Sequence, residues 1–156
     1  PLPWYAEEKL RQGAYAALLG VTFSARPGNS LRWSALAVGD CCLFQVRNET
    51  LVACFPIEAA AAFNSRPYLI GSVRLQSDMQ VTAARRFGSA EPGDRFLLAS
   101  DAIAAWFLTR AEEGGRPWRE IEEAGEAGFA SWVRRQRESG AMRNDDVTLL
   151  TVTIAA

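Results

Sequence analysis

The chain has 156 residues, 49% hydrophobic and 22% charged, which suits one folded domain with its own core and excludes a disordered or collagen-like chain. Its 17 basic and 18 acidic residues leave a net charge of −1, without the basic surplus that binding a phosphate backbone requires, so nucleic acid is not an expected partner. No histidine is present, which excludes Ser-His-Asp and Cys-His catalysis within the chain and every His-containing zinc site.

Residues 4–12 carry Glu7, Glu8, Lys9 and Arg11 and stop at Gly13, the pattern of a helix end. Residues 14–24 and 31–38 are apolar and aromatic and flank the turn sequence Arg26-Pro27-Gly28-Asn29-Ser30, which predicts a hairpin. Val38-Gly39-Asp40-Cys41 reads as a tight turn into a strand over 42–47, and Asn48-Glu49 turns into another over 51–55, so the first four strands are expected to form one antiparallel meander. A short helix is expected over 58–63 and a surface loop over 65–78, where periodicity is weakest. Strands follow over 81–87 and 95–99, the second apolar enough to be buried on both faces, with a turn over 89–94.

A helix over 101–110, capped by Ser100 or Asp101, ends at Gly114-Gly115. Pro117 opens a second helix that runs toward Ser139-Gly140, with Gly125 and Gly128 as points where it can divide. Phe129, Trp132 and Val133 follow helical spacing and mark its core face, while Arg134, Arg135 and Arg137 read as a solvated end near the negative pole of its dipole. A β-branched strand over 147–154 closes the chain, and strands first with helices later predict an α+β fold. The odd set Cys41, Cys42 and Cys54 gives no disulfide framework and fits a reducing cytoplasm. No apolar run approaches the ~20 residues of a membrane span, so no membrane partner is expected.

Chemistry concentrates at three aspartates: Asp40 and Asp101, each just after a strand, and Asp145, just before one. If the last strand runs antiparallel to the other two, all three carboxylates reach one edge of the sheets, where they repel unless a cation sits among them. In a chain without histidine the donors are hard oxygens, which suit Mg²⁺ or Mn²⁺. Each aspartate also has a plain structural role open to it: a hairpin turn at Asp40, a helix cap at Asp101, a solvated loop at Asp145-Asp146.

The order of Ala37-Val38-Gly39-Asp40, then Gly93-Asp94-Arg95-Phe96-Leu97-Leu98-Ala99-Ser100-Asp101-Ala102, then Arg143-Asn144-Asp145-Asp146-Val147-Thr148-Leu149-Leu150 resembles the late motifs of the metal-dependent serine/threonine protein phosphatases, the PPM or type 2C family. Gly13-Ala14-Tyr15-Ala16 is similar to that family's Gly-Ser-Thr-Ala segment, so the resemblance runs from about Gly13 to Ile154. It implies a four-layer α-β-β-α sandwich of two mostly antiparallel sheets, present here in part. It further implies phosphoserine and phosphothreonine hydrolysis by a water activated at a binuclear Mg²⁺ or Mn²⁺ centre. Asp101 and Asp145 would ligate the main metals and Asp40 an additional one. A phosphoprotein substrate, and a kinase partner or self-association, go with that activity.

The family's early Asp-Gly pair, whose carboxylate bridges both metals, and its phosphate-binding arginine have no match before Gly13, and Ala102 stands where glycine is usual. Residues 1–156 are therefore expected to be the C-terminal part of one phosphatase domain and a poor catalyst alone. The alternative is a non-catalytic phosphatase-like module that regulates or binds.

Overall fold

The computed structural model describes residues 13–26, 30–63, 67–72 and 83–155. The helix expected over 4–12, the first hairpin turn and much of the 65–78 loop lie outside them. Nine strands and two helices follow in order: β1 (Tyr15–Ala16), β2 (Leu18–Arg26), β3 (Ser30–Val38), β4 (Cys42–Arg47), β5 (Thr50–Phe55), β6 (Ile70–Gly71), β7 (Ala84–Ala90), β8 (Arg95–Ala99), α1 (Asp101–Glu112), α2 (Pro117–Glu138) and β9 (Leu149–Thr153). A 3-10 turn at Ala60–Ala62 stands where a short helix was expected.

Two of the expected hairpins form, β2 with β3 and β4 with β5, but the strands do not make one meander. Strands β2, β3 and β7 build one antiparallel sheet in that order, and β5, β4, β8 and β9 build a second. The chain changes sheet at Gly39-Asp40, between β3 and β4, so the stretch read as a hairpin turn is a crossing between layers. It changes back between β5 and β7, and again between β7 and β8. Alternation of apolar residues predicts strands and their buried faces; it carries no information on which sheet a strand joins.

Two cores result. Trp33, Ala35 and Ala37 of β3 meet Leu43 of β4 and Phe96 of β8 between the sheets, and Leu19, Val21 and Phe23 of β2 complete that layer. On the other face of the four-stranded sheet, Cys42, Phe44 and Val46 of β4 and Leu97 and Ala99 of β8 pack under Ile103, Trp106 and Phe107 of α1 and Trp118, Ile121, Trp132 and Val133 of α2. Phe44 stacks on Phe107 at 4.1 Å, and Trp106 meets Trp132 edge-on at 4.8 Å. Side chains of this size stabilise by ~1.5–3 kcal/mol each when fully buried, so this layer fixes the helices onto the sheet.

Strands β4 and β8 are apolar on both faces because both are covered, as the sequence of β8 predicts. Layers of helix, sheet and sheet are therefore present; a second helical layer has no counterpart among the described residues. Phe87, on the outer face of the three-stranded sheet, is 72% exposed.

Two glycines mark local departures from the predicted bounds. Strand β7 runs on through Gly88 to Ser89 and Ala90, which read as the start of the turn, and the Trp33 indole lies so close to Gly88 that a Cβ there would meet it at 2.5 Å. In α2, Gly125 adopts φ 61° and ψ 166°, and the long helix is kinked there, as its two glycines suggest. No helix among the described residues is long and apolar enough to cross a membrane.

Candidate metal centre

Register places the three aspartates. Cys42 pairs with Ala99, and Ala99 pairs with Leu149. Asp40 lies two residues before Cys42, Asp101 two residues after Ala99, and Asp145 four residues before Leu149, so all three extend beyond the same end of the four-stranded sheet. Of the two strands that the sequence set against the last one, β8 pairs antiparallel with β9, while β3, which leads to Asp40, lies in the other sheet.

Each aspartate is held by a different device. Gly39 has φ 100°, and a Cβ on it would stand 2.8 Å from that of Ala17, so the close approach of Ala17, between β1 and β2, to this crossing leaves room for glycine only. The Asp40 carbonyl accepts the Cys42 thiol at 3.4 Å.

Asp101 is the first residue of α1, where a carboxylate is favoured by the helix dipole. Ser100 is the N-cap position, yet its hydroxyl makes no capping bond. Instead Ser100 Oγ donates to the Asp146 carbonyl at 3.2 Å and accepts the Thr148 amide at 3.0 Å, while its own amide donates to the Thr148 carbonyl at 3.0 Å. The expected capping role thus gives way to a clamp that ties the Asp145-Asp146 loop to the β8–α1 junction. Arg137 Nη2 adds a bond to the Asp145 carbonyl from α2.

The electrostatics follow from this convergence. Burial raises the Asp40 carboxyl above the usual range, and the Asp101 carboxylate adds to the rise; its own backbone amide and Arg143 oppose it, and Asp145 raises it further. The same surroundings raise the Cys41 thiol, through burial first and then Asp40 and Asp101. Burial pushes Cys42 to about 12 and Cys54 to about 11, so these thiols stay protonated and inert at neutral pH.

One cation already answers the crowding. Arg143 Nη2 sits 2.6 Å from Asp101 Oδ2, an ion pair that spacing gave no reason to expect. The set therefore has the donor chemistry of a hard-cation site and a guanidinium standing where positive charge is needed. Among the described residues, no three His, Cys, Asp or Glu side chains stand close enough to hold a metal ion in this arrangement.

A second cluster, which the sequence reading missed, lies at the opposite end of β8. Asp94 is 1% exposed and accepts Arg47 Nε at 2.8 Å, Arg47 Nη2 at 2.7 Å, Gln45 Nε2 at 2.7 Å and the Glu91 amide at 2.9 Å. Burial alone would raise its carboxyl; the bonds from Arg47, Glu91 and Gln45 hold it below the usual range instead. Gln45 Oε1 accepts the Trp33 indole at 3.0 Å. A glutamine inside the apolar run 42–46 was the available signal, since a polar residue there must find partners.

Comparison with solved structures gives this arrangement a context. The catalytic domain of the serine/threonine protein phosphatase PstP, in complex with two manganese ions, matches at a TM-score of 0.56 and 15% identity, over 97% of this chain and 64% of its own. The fold is that of the PPM-type phosphatase domains. PppA of Pseudomonas aeruginosa, a regulatory component of its type VI secretion system, matches at 0.48 with 20% identity over 84% of this chain and 54% of its own. The phosphatase domain of SpoIIE from Bacillus subtilis matches at 0.45 with 16% identity over 88% and 59%. The chain thus spans between 54% and 64% of the length of these PPM-type structures. No protein-family model matches the chain, and no curated protein matches its sequence.

Proposed function

We propose that the chain carries the carboxylate part of a Mg²⁺- or Mn²⁺-dependent site that hydrolyses phosphoserine and phosphothreonine in proteins. The supporting observation is the gathering of Asp40, Asp101 and Asp145 beyond one end of the four-stranded sheet of a PPM-type fold. Asp101 and Asp145 would hold the principal ions and Asp40 an additional one. Divalent ions in such a site lower the pKa of a water and neutralise charge on the phosphoryl oxygens.

This chain's residues supply position and charge. The Ser100 clamp fixes the loop that bears Asp145 against the junction that bears Asp101. The like charges around Asp40 make uptake of a cation favourable there. Arg143 holds Asp101 when no ion does, and its side chain is 51% exposed, free to swing away toward an anionic group. The remaining ligands of a binuclear centre would come from outside these residues.

A second reading, a non-catalytic phosphatase-like module, draws support from the same ion pair, because Arg143 satisfies Asp101 without a metal. Calorimetric titration of Mn²⁺ into the chain and its Asp101→Ala variant separates the two. Saturable binding that the variant loses supports the metal-dependent phosphatase; no binding by either supports the module.

A further inference from the structure

Several arginines of the fold have carboxylate partners: Arg47 with Asp94 and Glu91, Arg86 with Glu58, Arg95 with Glu49 and Glu122, Arg110 with Glu113 and Glu120, Arg119 with Glu49 and Glu122, and Arg143 with Asp101, whereas Arg32, Arg85 and Arg116 stand exposed without one among the described residues. Arg134, Arg135 and Arg137, on the last turns of α2, have none among the described residues. The helix dipole accounts for cations at that end, but not for the shape beside them. Ala130, Arg134 and Arg137 are spaced four and three residues apart and share one face of α2. With Asn144 from the loop before β9 and Glu138 they line an open cleft of about 500 Å³. Arg137 Nε is buried without a hydrogen-bond partner, while Nη2 of the same guanidinium bonds the Asp145 carbonyl. The cleft and the proposed metal ligand therefore share one loop and one arginine.

We infer that this cleft is an oxyanion-binding subsite that takes a second acidic group of a phosphopeptide, a phosphate or a carboxylate, whose phosphoserine lies at the aspartates. It rests on the phosphatase reading above and specifies the substrate class: peptides that are acidic or phosphorylated more than once near the reacting residue. Arg134, which is exposed, would supply the mobile charge, and Asn144 a neutral polar partner. Arg137 is the fixed element, because its bond to the Asp145 backbone keeps it in place.

The test is calorimetric titration of the metal-free chain at low salt with a peptide bearing two phosphoserines, and with the same peptide bearing glutamates in their place. Saturable binding of the first is expected, weakened about tenfold in Arg134→Ala, which removes a charge-assisted hydrogen bond. Arg135→Ala, on the same turn but outside the cleft, should shift affinity by no more than about twofold, the scale of an exposed charge. Equal binding of the glutamate peptide assigns the subsite to acidic side chains generally; a preference for phosphoserine assigns it to a second phosphate. Absence of saturable binding, or an equal loss in both arginine variants, overturns the inference. Neither metal nor turnover enters this measurement, so its failure is distinct from a failure of the Mn²⁺ titration.

Discussion

Strand β8 begins beside a buried aspartate and ends just before a half-buried one, and the two are treated in opposite ways. Asp94 has four donors on its carboxylate and almost no contact with solvent. Asp101 has one arginine, a quarter of its side chain exposed, and two further aspartates within electrostatic reach of the same crossing. The first arrangement satisfies its charge inside the fold; the second leaves charge to be met from outside. A buried carboxylate is thus no sign of a site in itself. The sign is a set of carboxylates that the fold brings together without enough donors.

The largest effect should come from breaking the satisfied end. Asp94→Ala takes from Arg47 and Gln45 their buried carboxylate partner, leaving Arg47 with Glu91 and Gln45 with the Ser89 carbonyl, and loss of one member of a buried pair costs ~3–5 kcal/mol, measurable by urea denaturation at pH 7. A cost below about 1 kcal/mol, the scale of an exposed pair, would erase the contrast. At the other end, Asp101→Ala should change folding stability by no more than about 1 kcal/mol while abolishing Mn²⁺ binding.

Arg143→Ala removes the resident cation. Mn²⁺ should then bind up to about fivefold more tightly, the equivalent of ~1 kcal/mol for an exposed ion pair. Weaker binding in that variant would make Arg143 a supporting residue instead of a competitor.

The pH dependence of the metal-free chain sharpens the same contrast with smaller effects. Asp40 holds its proton more tightly folded than unfolded, so its contribution to stability is full at acid pH and is lost as pH rises through the carboxylate range. Asp94, held below the usual range, contributes above that range, and its contribution is lost as pH falls through its folded value. Asp40→Asn should therefore stabilise the metal-free chain at pH 7 by a few tenths to about 1 kcal/mol, with the gain vanishing near pH 3. A loss of stability at pH 7 would place the crossing's value in hydrogen bonds to the carboxylate instead.

Much of this was legible in the residues. Apolar alternation and turn sequences located the strands, Pro117 and the glycines placed the second helix and its interruption, and the antiparallel pairing of the last strand with β8 set Asp101 and Asp145 beyond the same end of one sheet. Sheet membership was not legible, because the Gly39-Asp40 link looks the same as a hairpin turn until the packing of Ala17 against it is known. The Asp94 cluster joins side chains more than forty residues apart, and the Ser100 clamp replaces a local bond with a distant one. Arg143 lay within the motif that drew notice to Asp145, yet only side-chain placement pairs it with Asp101.

The crossing at Gly39-Asp40 joins the two sheets, whereas Asp101 and Asp145 flank strands of one sheet alone. The gap between Asp40 and the other two carboxylates is therefore a gauge of how the sheets sit on each other. Any sliding of the three-stranded layer would lengthen or shorten that gap and change with it the grip of the proposed site on a cation.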